Sequence, residues 1–62
     1  EMYIMLKNYS DILEVKDICE ILHISLKSAY RLIHNSEIPS IKIGRHYRIS
    51  KRALENFINA DE

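Results

Sequence analysis

Sixty-two residues with 47% hydrophobic and 29% charged side chains describe one small globular domain rather than a disordered chain. A domain of this size buries only about 60% of the surface its unfolded chain exposes, which leaves no room for an enclosed enzyme pocket plus its scaffold. The formal net charge of zero excludes a uniformly basic or acidic chain, but it hides a strong segregation.

Residues 1–22 carry two cations against five carboxylates, residues 23–52 carry seven against one, and residues 53–62 carry three carboxylates alone. The block charges are therefore −3, +6 and −3, with all three histidines inside the basic block. Such segregation suggests a polyanion-binding face with an acidic rear; chance clustering on a solvated surface is the competing reading. No apolar run approaches the roughly 20 residues that cross a membrane. The single Cys19 excludes an internal disulfide and fits a reducing, cytoplasmic setting. Residues 1–7 lack the basic region and apolar core of a signal peptide, and Glu1 ahead of Met2 reads as a tag remnant.

Residues 1–12 form an N-terminal extension, and residues 13–60 the domain proper. The first nine residues suit a helical turn, a strand covering the core or an oligomer contact. Tyr9-Ser10-Asp11 reads as a loop, and Ile12-Leu13 as a short extended piece. Val15, Ile18, Cys19 and Leu22 then follow the i, i+3, i+4, i+7 spacing of a helix with one apolar face, widened by Ile21. Asp17 lies in its first turn, where the helix dipole favours a carboxylate. Cys19 and His23 are four apart, but two further metal ligands are wanting nearby, so they read as core and turn.

His23-Ile24-Ser25 leaves room only for a tight turn, with Ile24 in the elbow and Ser25 capping the next helix. This second helix, Ser25 to Asn35, has two chemically distinct faces. Leu26, Ala29, Leu32 and Ile33 cluster on one, with Tyr30 at its edge; Lys27, Ser28, Arg31, His34 and Asn35 fall on the other. That outer face is rich in donors and free of carboxylates, as a helix in a DNA major groove requires: Arg and Lys for guanine and phosphate, Asn for adenine, Ser for either. An amphipathic helix with a merely solvated face, in a generic helical hairpin, is the alternative.

Pro39 forbids continuing this helix. Ser40 to Ile43 and His46 to Ile49 then alternate apolar and polar residues around Gly44-Arg45. The alternation predicts a two-stranded hairpin with Ile41, Ile43, Tyr47 and Ile49 on a buried face. Gly44 stands where the turn needs a positive φ. The exposed set would be Lys42, Arg45, His46 and Arg48, a basic tongue suited to phosphates or the minor groove if it is not simply solvated. Ser50 caps a last helix, Lys51 to Asn59, with Leu54, Phe57 and Ile58 on its apolar face. Lys51 and Arg52 at its start oppose the dipole, a small cost consistent with facing phosphate.

In this order the elements resemble the excisionase-family DNA-binding domain, a small relative of the MerR-type winged helix-turn-helix. The resemblance covers about three quarters of the chain, Leu13 to Ile58. It is carried by Leu13, Asp17, Ile21-Leu22, Ile24-Ser25, Tyr30-Arg31-Leu32-Ile33, Ile38-Pro39, Ile41-Lys42-Ile43-Gly44-Arg45, Tyr47-Arg48-Ile49 and Leu54-Phe57-Ile58. Three positions depart: Glu14 stands where the family favours Thr or Ser, His23 where it favours Gly, and Leu26 where a polar or basic residue is frequent. The resemblance implies a mainly α winged helix-turn-helix with a small two-stranded antiparallel wing. It implies major-groove contacts by Lys27, Ser28, Arg31, His34 and Asn35, and wing contacts by Lys42, Arg45, His46 and Arg48. Tyr30 matches an aromatic that packs beneath the recognition helix or offers its hydroxyl to a phosphate.

The expected function is non-catalytic, sequence-selective binding of double-stranded DNA, with no cofactor, no metal and no membrane. The role would be that of a recombination directionality factor beside a site-specific recombinase, or of a small transcriptional regulator with other protomers on adjacent sites. The alternative is a protein-interaction module that keeps the fold and binds through its apolar N-terminal segment and acidic rear.

Overall fold

In the computed structural model, residues 6–60 are described. The elements run β1 (Ile12–Leu13), α1 (Val15–Leu22), α2 (Leu26–His34), β2 (Ile41–Ile43), β3 (His46–Ser50) and α3 (Lys51–Ile58). The readings that fall on residues 1–5 lie outside the described residues.

Local chemistry accounts for each boundary. Glu14 caps α1, and Asp17 Oδ2 accepts from the Glu14 N–H at 2.9 Å, the N3-to-cap half of a capping box that does not depend on which side chain stands at position 14. The helix ends at His23, which is left-handed at φ 57° and ψ 47°, and the next amide, that of Ile24, closes onto the Cys19 carbonyl at 3.1 Å. Ser25 caps α2 by accepting from the Ser28 N–H at 3.2 Å. At the far end Ser36 is also left-handed (φ 60°), with Ser36 N–H bonded to Ile33 O and Glu37 N–H to Leu32 O. These are the paired closing bonds of a Schellman terminus, built here on Ser instead of Gly. Ser50 ends β3 and caps α3 through the Ala53 N–H at 3.0 Å.

Two expectations for the sheet are corrected. It has three strands, in the order β1-β3-β2, because Ile12 and Leu13 pair antiparallel with Ser50 and Ile49. A two-residue strand has too weak a periodicity to declare itself; its partner, distant in sequence, makes it one. The hairpin also does not bury both apolar sets on one face. Its register pairs Ile41 with Arg48, Lys42 with Tyr47 and Ile43 with His46. Directly opposed residues share a face, so Ile41 and Ile43 stand with Arg48 and His46, while Lys42 stands with Tyr47 on the side of buried Ile49. Ile41 and Ile43 are accordingly 67% and 62% exposed. Gly44 takes φ +62° and Arg45 does not, the φ pattern of a II′ turn that puts glycine first.

The core gathers Leu6, Leu13, Val15, Ile18, Ala29, Ile33, Ile38, Ile49 and Leu54, so all three helices and both central strand positions meet in one cluster. Leu6 belongs to it, held by its N–H to Glu55 Oε2 at 2.9 Å. Tyr9 and Cys19 pack against the cluster from partly buried positions. Leu26, placed by helical phase on the core side, is 56% exposed, since the first turn of α2 runs past the edge of the core.

Candidate nucleic-acid interface

Helix α2 and the β2–β3 hairpin lie side by side, joined by an aromatic cluster. Tyr30 and Tyr47 rings meet edge-on at 5.9 Å, and His34 and Tyr47 at 5.8 Å. His34 Nε2 and the Tyr47 hydroxyl are 3.1 Å apart in a hydrogen bond. Lys42 Nζ sits 5.6 Å from the Tyr47 ring centroid, within cation–π range. Tyr30 therefore packs between helix and hairpin.

The nine candidate contacts separate into groups. Lys27 and Arg31, one turn apart, are exposed on α2, and Asn35 is exposed at its C-terminal end. Arg45 is exposed at the tip of the hairpin, beside Gly44. Ser28 is half-buried, with its hydroxyl accepting from Ser25 at 3.2 Å, and is tied into the cap. His34 and Lys42 are exposed but turned to Tyr47. His46 and Arg48 stand across the sheet from them, beside Ile43 and Ile41. Arg48 is half-buried and donates to the Tyr47 carbonyl at 3.3 Å. The basic tongue is thus two faces, because the two-residue turn fixes which residues stand opposite.

Lys51 does not face outward as its position suggested. Its ammonium donates to the Tyr9 carbonyl at 3.2 Å and lies 3.6 Å from Asp11, so it fastens the N-terminal loop to α3. Arg52 remains exposed. Sequence reasoning passed over Lys16. It lines a shallow cavity of about 200 Å³ between the starts of α1 and α2 and the hairpin, with Leu26, Tyr30, Arg45 and Arg48. A lysine in the first turn of a helix reads as surface until the hairpin is folded beside it. No carboxylate occurs from Ile38 to Leu54, so the hairpin itself is cationic, with Glu14 the one carboxylate lining the cavity beside it.

On the other side, the Tyr9 hydroxyl donates to Glu20 Oε1 at 3.0 Å. That hydrogen bond, followed by desolvation and the charges of Glu20 and Asp17, raises the Tyr9 pKa above its ordinary value. Among the described residues no group of three or more His, Cys, Asp or Glu side chains is placed to hold a metal ion. No helix among them is long and apolar enough to cross a membrane.

Two helices joined by a three-residue turn, a β-hairpin against the second and a closing helix define a helix-turn-helix unit with a wing. The model of the helix-turn-helix domain family matches residues 12–61, and the chain belongs to that family. It is 29% identical over 49 residues to "Putative DNA-binding protein Rv0500A" of Mycobacterium tuberculosis strain H37Rv, and equally to "Putative DNA-binding protein MT0521" of strain CDC 1551. Each alignment covers 79% of this chain and 63% of the relative, so the chain spans less than two thirds of those proteins' length. No solved structure matches the chain significantly.

Proposed function

We propose that this chain is a non-catalytic module that binds double-stranded DNA, with α2 in the major groove and the wing on the adjacent backbone. The observation that carries this reading is the alignment of Lys27 and Arg31 along the exposed face of α2, next to a hairpin that ends in Arg45 and bears no carboxylate. Lys27 and Arg45 suit phosphate, Arg31 a guanine edge and Asn35 an adenine edge. Arg48 and His46 alternate with Tyr47 along β3 and line, with Arg45, the cavity beside the start of α2, so they suit the backbone next to the groove. The names of the two mycobacterial relatives agree with this reading.

The excisionase resemblance suggests the narrower role of a recombination directionality factor or a small transcriptional regulator. One such module buries too little surface for tight binding alone, so adjacent protomers, a recombinase or a larger host protein would complete the affinity. A second reading, docking to a protein, is favoured by a different feature: Ile12, Ile41 and Ile43 stand bare on the outer sheet face. It predicts that neutralising Lys27 and Arg31 leaves function intact.

Fluorescence anisotropy with short duplexes across a salt series tests the DNA reading. With roughly five to seven phosphates neutralised, log affinity should fall against log salt with a slope of about −5 to −6. Arg31→Ala should lose about 1–3 kcal/mol on preferred sequences and level the differences among them. Absence of binding to any duplex at low salt refutes the proposal.

A further inference from the structure

We infer that His34 positions the wing and does not itself read DNA: with Tyr30 it clamps Tyr47, the residue that Lys42 covers within the hairpin, and so fixes the distance from the recognition helix to the wing tip. The DNA consequence rests on the function proposed above, while the clamp itself stands on the fold.

The hairpin needs such a clamp. Strand β1 supports β3 only at Ile49 and Ser50, so residues 41–48 project beyond the last pairing that ties the sheet to the body. A two-stranded ribbon is marginal by itself. Ile41 and Ile43 face outward and bury little, so they cannot anchor it. Tyr47 is the inward residue of the projecting part that meets α2. Tyr30 and His34, four apart on α2, approach it from that helix at ring distances of 5.9 and 5.8 Å and interplanar angles of 66° and 62°. Both are edge-on geometries favoured by the ring quadrupoles.

The Tyr47 hydroxyl is held by His34 at 3.1 Å, and its ring carries Lys42 at 5.6 Å. Each of these two groups is thus committed to the same phenol. An imidazole bonded to the wing is not extended toward a base edge, and an ammonium over a ring within its own hairpin is not reaching away from it. What they supply is preorganisation: the wing need not be ordered when the duplex arrives, so that entropy is not lost on binding.

The test uses the whole chain, ¹⁵N-labelled, as wild type, His34→Ala, Tyr47→Phe and the double variant. Both positions tolerate the change, His34 being exposed and Phe keeping the ring of Tyr47. In the free protein the amide order parameters of Gly44 and Arg45 should be about 0.85 in wild type and fall toward about 0.6 in His34→Ala. The double variant should fall no further than His34→Ala, since Tyr47 has then already lost its partner. Duplex affinity should drop by about three- to tenfold in each single variant, uniformly over sequences, with the same non-additivity.

Unchanged order at Gly44 and Arg45 in His34→Ala overturns the clamp, whatever the DNA result. A loss of affinity confined to one base position, and additive with Tyr47→Phe, overturns it too, because His34 would then be a reader. If no variant binds duplex while wing order falls as described, the clamp stands and only the DNA reading fails.

Discussion

Replacing His23 by glycine should stabilise the protein, although His23 is exposed and its side chain makes no hydrogen bond among the described residues. The effect lies in the backbone. At φ 57° and ψ 47° the residue sits in the left-handed well, where an L-side chain costs roughly 1–2 kcal/mol through the clash of Cβ with the following carbonyl. His tolerates the well better than most, so the lower half of that range applies. Glycine removes the clash but frees the unfolded chain, returning about 0.4–1 kcal/mol of the gain.

The net is a gain of about 0.5 kcal/mol, near 1 at most, where about 1 kcal/mol corresponds to roughly 4–8 °C in Tm for a domain of this size. The closing bond from the Ile24 N–H to Cys19 O at 3.1 Å involves no His23 atom and should persist. The measurement is thermal and urea unfolding followed by circular dichroism, for wild type, His23→Gly and His23→Ala. Alanine keeps the Cβ and should match or fall below wild type. If alanine stabilises as much as glycine, or glycine lowers Tm, the left-handed strain is not what limits the turn.

The two sheet faces should answer mutation very differently. Ile49→Ala empties a fully buried site and should cost about 2–5 kcal/mol, enough to unfold much of a small domain. Ile43→Ser, at a residue 62% exposed, should stay within about 0.5 kcal/mol; a large loss in urea titration would mean that the outer face is covered. The raised Tyr9 pKa makes a signed prediction. A phenol whose pKa is higher in the folded state contributes stability below its unfolded value near 10 and loses it as pH climbs through the folded value. Wild-type Tm should therefore fall faster than that of Tyr9→Phe above about pH 10, and parallel slopes there would contradict the hydrogen bond to Glu20.

Much of the fold is legible in the residues because it is local. Apolar spacing fixes α1 at Val15–Leu22, serine caps fix the starts of α2 and α3, Pro39 ends the second helical run and Gly44 marks the hairpin turn; each signal acts within a few residues of itself. The basic block of residues 23–52 likewise locates the cationic side of the molecule. What the tertiary structure alone decided is which of those residues stand together. Ile12–Leu13 become a strand only beside Ser50 and Ile49. Alternation in each strand says that its faces differ, but cross-strand register decides which faces coincide, and it sets Ile41 with Arg48 and Lys42 with Tyr47. For the same reason Lys51 meets the N-terminal loop at Tyr9 and Asp11, and His34 meets the Tyr47 hydroxyl. Periodicity reports how a side chain is oriented within its own element, whereas the partner it meets depends on contacts between residues far apart in the chain.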